Sequence, residues 1–262
     1  MKIYTKKSLI EKLKEIKNIG WVKNGRSGNC GGIGNTLEDL LGIKENNLPI
    51  PNAAEWELKC QRINTNSLVT LFHTEPSPIA LRFVPQILLP QYGWPHKLAG
   101  EKYPISELSF RQTISCRNRS DRGFTVVIDK EQQKILISFD KNSVIDKHQK
   151  WLQEVTSKTG GGELEPQPYW GFNDLYHKAG TKLHNCFFVE ANCKLENNHE
   201  FFKYEKIWML SGFSLEKFIR AIELGDILID FDARTGHNHG TKFRFRNNRL
   251  PELYDNVLEI DN

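Results

Sequence analysis

The residues best suited to chemistry lie at the end of the segment PIPNAAEWELK, residues 49–59. Side chains alternate along a β-strand, so Glu57 and Lys59 point to the same face if this segment is extended. A carboxylate and an amine that share one pocket, with a second carboxylate from the preceding turn, can hydrolyse a phosphodiester with Mg²⁺. The spacing alone is a weak signal, because Glu and Lys two positions apart are common on exposed strands.

Position 52 is where this chemistry requires the central ligand of the metal, and it holds an asparagine. An amide oxygen can coordinate Mg²⁺ but brings no negative charge, so the site loses an ionised ligand and much of its metal affinity. Because the two side chains are isosteric, we interpret Asn52 as an engineered replacement of a native aspartate, with natural inactivity or a shifted ligand as alternatives. Glu55 has the strand parity of Glu57, and we expect it to support a ligand or face the solvent.

Length and composition are those of a globular protein, since 262 residues with 39% hydrophobic and 11% aromatic side chains can bury a sizeable core. No apolar run reaches about 18 residues, and the N-terminus lacks a signal-like apolar stretch, so the expected location is cytoplasmic. The 5 cysteines are widely spaced, which favours reduced thiols. His184, Cys186, Cys193 and His199 form a loose cluster without zinc-knuckle spacing, and zinc is a minor alternative.

The net charge of +4 is mild, but the basic residues concentrate in two runs, 111–122 and 233–249. Such runs are commonly solvated faces. Interleaving with Gly, Asn, Ser and Thr instead favours loops that carry donors to phosphates and base edges. The candidate DNA-contacting residues in the runs are Arg117, Arg119, Arg122, Arg234, His237, His239, Lys242 and Arg244.

Hydrophobic periodicity predicts an irregular alternation of helices and strands, with a sheet of at least four strands. Helices are expected at 7–18, 36–43, 148–155 and 214–225, with Thr36 and Ser214 as N-caps. Strands are expected at 54–59, 67–73, 186–191 and 226–232, and a hairpin at 124–139. The glycine-rich stretch 24–36 lacks the GKS or GKT ending of a P-loop and is expected to be a flexible segment that meets DNA. The segment 159–168 is the candidate subdomain boundary.

Four ordered motifs resemble restriction endonucleases of the MvaI and BcnI type, which are relatives of the mismatch-repair nickase MutH. They are GGIGNTLEDLLGI with Glu38, PNAAEWELK, VTLFHTEP with His73, and GHNHGTKFRF. The opening MKIYTKKSLIEKLKEIKNIGW is similar to the N-terminal helix of the BcnI branch. The resemblance spans residues 1–246 and is loose over about 75–180.

The resemblance implies an α/β (α+β) fold of the MutH-like PD-(D/E)xK class, with a mixed central sheet flanked by helices and two lobes that form a DNA cleft. Residues 1–262 would be one nuclease unit, with the catalytic centre in 24–75 and the recognition loop in 233–249. It also implies roles for single residues. Glu57 and position 52 would bind the metal, Lys59 would be the catalytic lysine, Glu38 an auxiliary acid, and His73 a base reader; without the resemblance, His73 is an ordinary hydrogen-bonded histidine at a strand end.

The activity implied is that of a monomeric, Mg²⁺-dependent Type II enzyme that cuts double-stranded DNA at a short, C/G-rich, pseudopalindromic site. A monomer with one site would nick one strand and rebind to cut the other. A DNA methyltransferase is expected as a genetic partner only. Lys242 stands where the BcnI branch has a histidine, which leaves the central base open. The alternatives are a DNA-binding protein without catalysis and a MutH-like repair nickase, which needs a partner-binding surface.

Overall fold

The structure is a computed structural model that describes residues 4–26, 31–43, 55–63, 65–246 and 249–261. Its α-helices are α1 (Lys6–Ile19), α2 (Gly32–Leu41), α3 (Leu89–Tyr92), α4 (Gln149–Thr159), α5 (Phe172–Leu183) and α6 (Leu215–Glu223). Short 3-10 helices span Ile79–Leu81, Asp146–His148 and Leu250–Leu253, and a π-helical turn spans Val84–Leu88. Across the described ranges, no helix is long and apolar enough to cross a membrane.

The strands divide among three sheets in the described residues. They are β1 (Trp21–Lys23), β2 (Glu57–Arg62), β3 (Val69–His73), β4 (Trp94–Pro95), β5 (Leu108–Ile114), β6 (Arg122–Asp129), β7 (Lys134–Val144), β8 (Tyr169–Gly171), β9 (Asn185–Glu196), β10 (His199–Phe213), β11 (Ile227–Arg234), β12 (His237–Asn238), β13 (Lys242–Phe245) and β14 (Tyr254–Glu259). The fold class is therefore mixed α+β, as the sequence predicts.

The chain separates into two compact units, each assembled from segments that are distant in sequence. The first unit comprises Met1–Val69, His177–Lys217 and Arg246–Asn262, and the second comprises Thr70–Tyr176 and Phe218–Phe245. The segment 159–168 lies inside the second unit, so the boundary predicted there is wrong. Glycine and proline content marks a turn, but only contacts between distant segments define a unit.

The first unit is built on a five-stranded sheet of order β1-β10-β9-β2, with β14 also paired to β10. Strands β9 and β10 form a long hairpin, and Asn197 and Asn198 at its tip have positive φ angles of 50° and 59°. Asparagine tolerates this left-handed conformation, which suits the tight turn of a hairpin. Strand β2 runs parallel to β9 at the edge of the sheet.

Helix α1 confirms the amphipathic pattern predicted for 7–18. Thr5 and Ser8 form a reciprocal capping box at its start, and the helix buries Leu9, Leu13 and Ile16. These side chains join the core of the first unit, which also includes Phe187 of β9. The capping bonds satisfy amide groups that the first helical turn leaves without partners.

Helix α2 begins at Gly32, earlier than the sequence indicates, and the prediction that Thr36 caps it is wrong. Thr36 lies inside the helix and is buried. Its hydroxyl accepts a hydrogen bond from the Gly25 amide at 3.2 Å and donates to Asn24 Oδ1 at 3.4 Å. The sequence favours Thr36 as a cap because a threonine before an apolar run is a typical start signal of a helix.

The second unit contains a six-stranded sheet of order β3-β13-β11-β5-β4, with β12 paired to β11, and a separate three-stranded sheet of order β6-β7-β8. Alternation places aromatic residues on one face of the larger sheet, where Phe231 and Phe243 are buried. Several other predicted elements are confirmed, including the β6–β7 hairpin, the buried strand at 186–191 and the Ser214 cap, whose Oγ accepts from the Lys217 amide at 3.3 Å. The strand predicted at 54–59 begins only at Glu57, and residues 32–36 of the glycine-rich stretch belong to α2, so that part of the predicted flexible segment is wrong.

Candidate functional site

The first unit holds the predicted carboxylate and amine together on β2. Glu57 is only 1% exposed, and Lys59 Nζ lies 2.7 Å from Glu57 Oε1. The second carboxylate oxygen, Oε2, is also buried and has no hydrogen-bond partner among the described residues. A buried, ionised carboxylate needs compensating charges or ligands. Glu57 therefore has one oxygen committed to Lys59 and one that is available to a cation.

A second lysine, which the sequence analysis missed, lies beside the same carboxylate. Lys182 Nζ is 3.7 Å from Glu57 Oε1, and its side chain is 30% exposed. Lys182 is in the last turn of α5, and β9 begins three residues later, with Cys186 in register with Glu57. Parallel pairing of β2 with β9 thus brings the end of α5 to the carboxylate. No local pattern marks this lysine.

The surroundings of Glu57 are otherwise poor in charge. Burial, with a further contribution from the nearby Glu57 carboxylate, raises the pKa of the Cys186 thiol to about 12. Burial also raises the pKa of the Tyr254 phenol well above its ordinary value. Both side chains are therefore neutral at physiological pH. The two lysines carry the positive charge that offsets the buried carboxylate in the described part of the site.

No contact with Glu57 is described for the other predicted members of this site. Glu38 lies in α2, which packs against β2, and is partly buried. Glu55 is exposed in the turn before β2, in agreement with a solvent-facing role. Asn52 lies outside the described residues.

The zinc alternative has no support from the placement of its residues. Cys186 and Cys193 both lie on β9, seven positions apart in the numbering, so they point to opposite faces of the strand. Over the described ranges, no group of three or more His, Cys, Asp or Glu side chains is arranged to hold a metal ion. That finding does not extend to position 52.

The second unit presents a charged face on its six-stranded sheet, which we call the polar face. Its members are Arg111 and Thr113 of β5, Asp230 and Asp232 of β11, and Lys242 and Arg244 of β13. Asp232 pairs with Arg111 at 2.7 Å and with Lys242 at 3.2 Å. Asp230 pairs with Arg244 at 3.3 Å and accepts a hydrogen bond from Thr113 at 2.8 Å. Three cations thus surround two carboxylates.

The pKa of Asp232 is lowered despite partial burial. Burial acts to raise it, but the hydrogen bond from Lys242 and the charges of Lys242 and Arg111 outweigh that effect. Asp232 is therefore ionised at neutral pH and can accept hydrogen bonds. Neither aspartate is among the residues predicted from the sequence, although the alternation of charged and apolar residues in DILIDFDAR is a signal that could have identified them. Arg111 lies in the predicted basic run 111–122 but is not among the contacts named there.

His73, His237 and His239 gather at one edge of this unit. His73 ends β3 and is exposed, and the rings of His237 and His239 are 4.3 Å apart. A Cβ atom added to Gly240 would lie 3.4 Å from the His73 ring, so the 237–241 segment passes directly beside β3. The structure thus brings the two histidine motifs together. Much of the predicted recognition loop is strand, since β11, β12 and β13 all contribute to it.

The predicted arginine run 111–122 is not one loop, because its ends lie in β5 and β6. Arg122 packs its guanidinium over the Trp94 ring at 4.0 Å and near the Trp151 ring at 5.3 Å. Burial lowers the pKa of Arg122. Its contacts are those of a structural residue, which the sequence could not show because both tryptophans are distant in the chain.

Other predicted DNA contacts have partners within the protein. Arg119 donates to the Gly123 carbonyl at 2.8 Å, and Arg234 pairs with the buried Glu107 at 2.9 Å. Arg117 is exposed in the β5–β6 connection and packs against Gly225. Of the three arginines predicted between 117 and 122, Arg117 is the one whose placement best suits a phosphate contact.

Comparisons with known proteins are consistent with this geometry. A structure of the restriction endonuclease MvaI in complex with its cognate DNA substrate is 26% identical, covers 97% of both chains and has a TM-score of 0.76. A structure of MvaI without DNA is also 26% identical, covers 100% of both chains and has a TM-score of 0.55. No curated protein matches the chain.

The fold and the paired side chains thus define a site-specific endonuclease. Residues 10–254 match the model of the MvaI/BcnI restriction endonuclease family, and the chain belongs to that family. It is a Type II site-specific deoxyribonuclease. The similarity of its N-terminus to the BcnI branch stays a prediction.

Two arginines allow the structural role to be separated from the DNA-binding role. Arg122→Ala removes the packing between two indole rings and should lower the free energy of unfolding by about 1–3 kcal/mol. Arg117→Ala should leave stability unchanged, weaken binding to any duplex, and reduce the slope of log affinity against log salt by about one unit. Denaturant unfolding and salt-dependent binding titrations of both variants test this. The opposite pattern would reverse the two assignments.

Proposed function

We propose that the chain cleaves double-stranded DNA with Mg²⁺ at a short, C/G-rich, pseudopalindromic site. The observation that carries this proposal is the buried Glu57 carboxylate, with one oxygen held by Lys59 and the other without a described partner. The family supports the activity, and the site supports the residues that perform it.

The residues present fit Mg²⁺, because this ion prefers oxygen ligands and Glu57 Oε2 is a buried oxygen without a hydrogen bond from the described residues. Glu57 and position 52 would hold the ion, and Glu38 would be the auxiliary acid. When bound, Mg²⁺ supplies positive charge to the reacting phosphate and acidifies a water. With Asn52, the site has one ionised ligand fewer, so we propose that the chain as written is impaired in cleavage.

The two lysines would act on the substrate. One N–H of Lys59 is used by Glu57, and the other two can donate to the attacking water and to a phosphate oxygen. Hydrolysis forms a bond from that water to phosphorus and breaks one P–O ester bond. The attacking water gives up a proton to the solvent and the leaving oxygen takes one up, while negative charge grows on the phosphate oxygens. Lys182 is more exposed than Lys59, and its ammonium is placed to stabilise this charge. We therefore add Lys182 to the catalytic residues predicted from the sequence.

The polar face of the second unit supports recognition of C/G-rich DNA. Guanine offers O6 and N7 as acceptors in the major groove, which suit Arg111, Lys242 and Arg244. Cytosine offers its N4 amino group, which suits the carboxylate oxygens of Asp230 and Asp232 as acceptors. When DNA binds, each charged side chain would replace its partner within the protein by a base edge, so that every charged group keeps a hydrogen bond. His73 and His237 add donors at the edge of the same unit.

One catalytic site per chain supports a monomer that cuts the strands in turn. It would nick one strand, release or turn on the duplex, and bind again in the opposite orientation. The methyltransferase that protects the host genome would then be a genetic partner, with no contact required. We propose one nuclease unit in function, with catalysis in the first structural unit and sequence reading in the second.

A second candidate is a sequence-specific DNA-binding protein that does not cut. Asn52 favours it, because the amide removes one charge from the metal site. Glu57 and Lys59 argue against it, since a protein without catalysis gains nothing from burying this pair. The repair-nickase alternative requires a partner protein and would be excluded by cutting of both strands of a plasmid without added protein.

Restoring the aspartate should separate these candidates. We expect Asn52→Asp to cut duplex DNA with Mg²⁺ at least about a hundredfold faster than the chain as written, because charge stabilisation by the metal is worth several kcal/mol in the transition state. Cleavage of plasmid DNA, followed by mapping of the ends, measures the rate and identifies the site. Equal rates for the two proteins would contradict the proposed role of position 52.

The lysines can be tested in the Asn52→Asp background. Lys59→Ala should abolish cleavage, and Lys182→Gln should slow single-turnover cleavage by about tenfold or more, because each removes a donor to charge that develops in the reaction. Binding to the same duplex in Ca²⁺ should stay nearly intact for both variants.

Lys178→Gln is the matched control for Lys182, since it removes the same charge one turn earlier on α5. It should cleave at the rate of its parent. If Lys182→Gln behaves like this control, Lys182 is a bystander. If Lys59→Ala loses binding in parallel with cleavage, Lys59 is a phosphate contact and not a catalytic residue.

The base-reading histidines should affect the preference for the cognate sequence more than the affinity for DNA of any sequence. Replacing His73 or His237 by Ala should cost roughly 1–3 kcal/mol against the cognate duplex and little against a scrambled duplex. Titrations of both duplexes at several salt concentrations measure the two terms. An equal loss on both duplexes would make the histidine a structural or phosphate-contacting residue.

A further inference from the structure

We propose that Glu75 is a positioning residue for sequence specificity, which holds the segment 237–241 against the end of β3 so that His73 and His237 form one rigid reading surface. This inference rests on the proposed function, in which these histidines read bases. Glu75 contacts no DNA in the proposal. Its effect is exerted through the residues that it fixes.

The contacts of Glu75 converge on Thr241. Glu75 Oε1 accepts from the Thr241 amide at 2.9 Å, and the Thr241 hydroxyl donates to Oε2 at 3.1 Å. Asn238 Nδ2 lies 3.4 Å from Oε1, at the other end of the segment. The Thr74 amide donates to the Thr241 carbonyl at 3.0 Å, which ties the backbone next to Glu75 to the same residue. Both carboxylate oxygens are thus used on one segment.

The segment has little regular structure of its own. Its sheet pairing is limited to the two residues of β12, His237–Asn238, which pair with the end of β11. Gly236 and Gly240 have positive φ angles of 70° and 82°, which glycine adopts without strain. Because glycine also adopts many other backbone conformations, the segment is free to take several conformations when nothing restrains it. The Gly240 amide donates to Asn238 Oδ1 at 3.0 Å. Backbone hydrogen bonds also hold the segment, since the His239 amide donates to the Asp232 carbonyl at 3.0 Å. The side-chain bonds of Glu75 add a fixed attachment at Thr241, where β12 pairing has ended.

Glu75 is two residues from His73 in the chain, so a bond from Glu75 to the segment fixes the segment relative to His73. Thr241 is fully buried, whereas His73, His237 and His239 are exposed. The anchor is therefore internal and the reading residues are external. Base-reading side chains that are already fixed before binding lose less conformational entropy when they contact the correct bases, which raises the affinity for the cognate duplex. Random DNA does not gain from this, because phosphate contacts provide its affinity.

The test uses the chain as written and a duplex that this chain selects from a randomised pool, together with a scrambled duplex of the same composition. We expect Glu75→Ala to lower the ratio of the two affinities by about tenfold, with affinity for the scrambled duplex unchanged within about twofold. Glu131→Ala, which removes an exposed carboxylate from the β6–β7 turn of the same unit, is the matched control. It should leave the ratio unchanged.

Two further variants keep the test informative. Glu75→Gln retains an acceptor for the Thr241 amide and should recover most of the ratio. Thr241→Val keeps the side-chain shape but removes the hydroxyl. It should lower the ratio in the parent but not in the Glu75→Ala background, because the hydrogen bond that the hydroxyl makes is to Glu75. If Glu75→Ala does not fold, Thr241→Val alone decides: a ratio equal to that of Glu131→Ala overturns the inference.

The outcomes separate this inference from the proposed function. If no sequence is enriched, or if His73→Ala and His237→Ala leave the ratio unchanged, the proposed reading surface itself is wrong. If those variants lower the ratio and Glu75→Ala does not, only the role of Glu75 is wrong. A parallel loss on both duplexes, accompanied by a lower melting temperature, would make Glu75 a residue of general stability.

Discussion

A carboxylate buried in a protein interior needs positive charge or strong hydrogen bonds to compensate for the water it has lost. Glu57 meets this constraint at the edge of the first sheet, where Lys59 holds one oxygen and Lys182 lies nearby. The arrangement leaves the other oxygen without a described donor, which is costly for a residue with a purely structural role. The pairing of β2 with β9, and the position of α5 directly before β9, bring both lysines to this carboxylate.

The second unit also holds partly buried carboxylates on its polar face, but there each one is paired. Its polar face keeps Asp230 and Asp232 among three cations, so every charge has a partner within the described residues. These pairs lie on an open sheet face and are only partly buried, so each can be exchanged for another polar partner at modest cost. A surface of this kind can offer both donors and acceptors to base edges. Both oxygens of Glu75, by contrast, accept hydrogen bonds from Thr241, so this carboxylate holds the protein together and does not face a ligand.

Position 52 belongs to the proposed metal site and not to the proposed DNA-reading surface. In the proposed function, DNA binding through the second unit and through exposed arginines does not depend on the metal site, whereas cleavage does. Under that proposal, an amide at position 52 lowers cleavage and leaves DNA recognition in place. The family assignment is independent of that residue, because the match extends over residues 10–254.

The sequence by itself determined the features that depend on short spacing. Alternation put Glu57 and Lys59 on one face, capping and glycine signals located α6, and the apolar pattern identified the β6–β7 hairpin; each follows from local backbone geometry. Tertiary structure alone decided that Lys182 stands beside Glu57, that Arg122 packs between tryptophans, that Glu75 binds Thr241, and where the two units divide. Those contacts join residues that are far apart in the chain, and their energies depend on sheet pairing and burial, which no local pattern encodes.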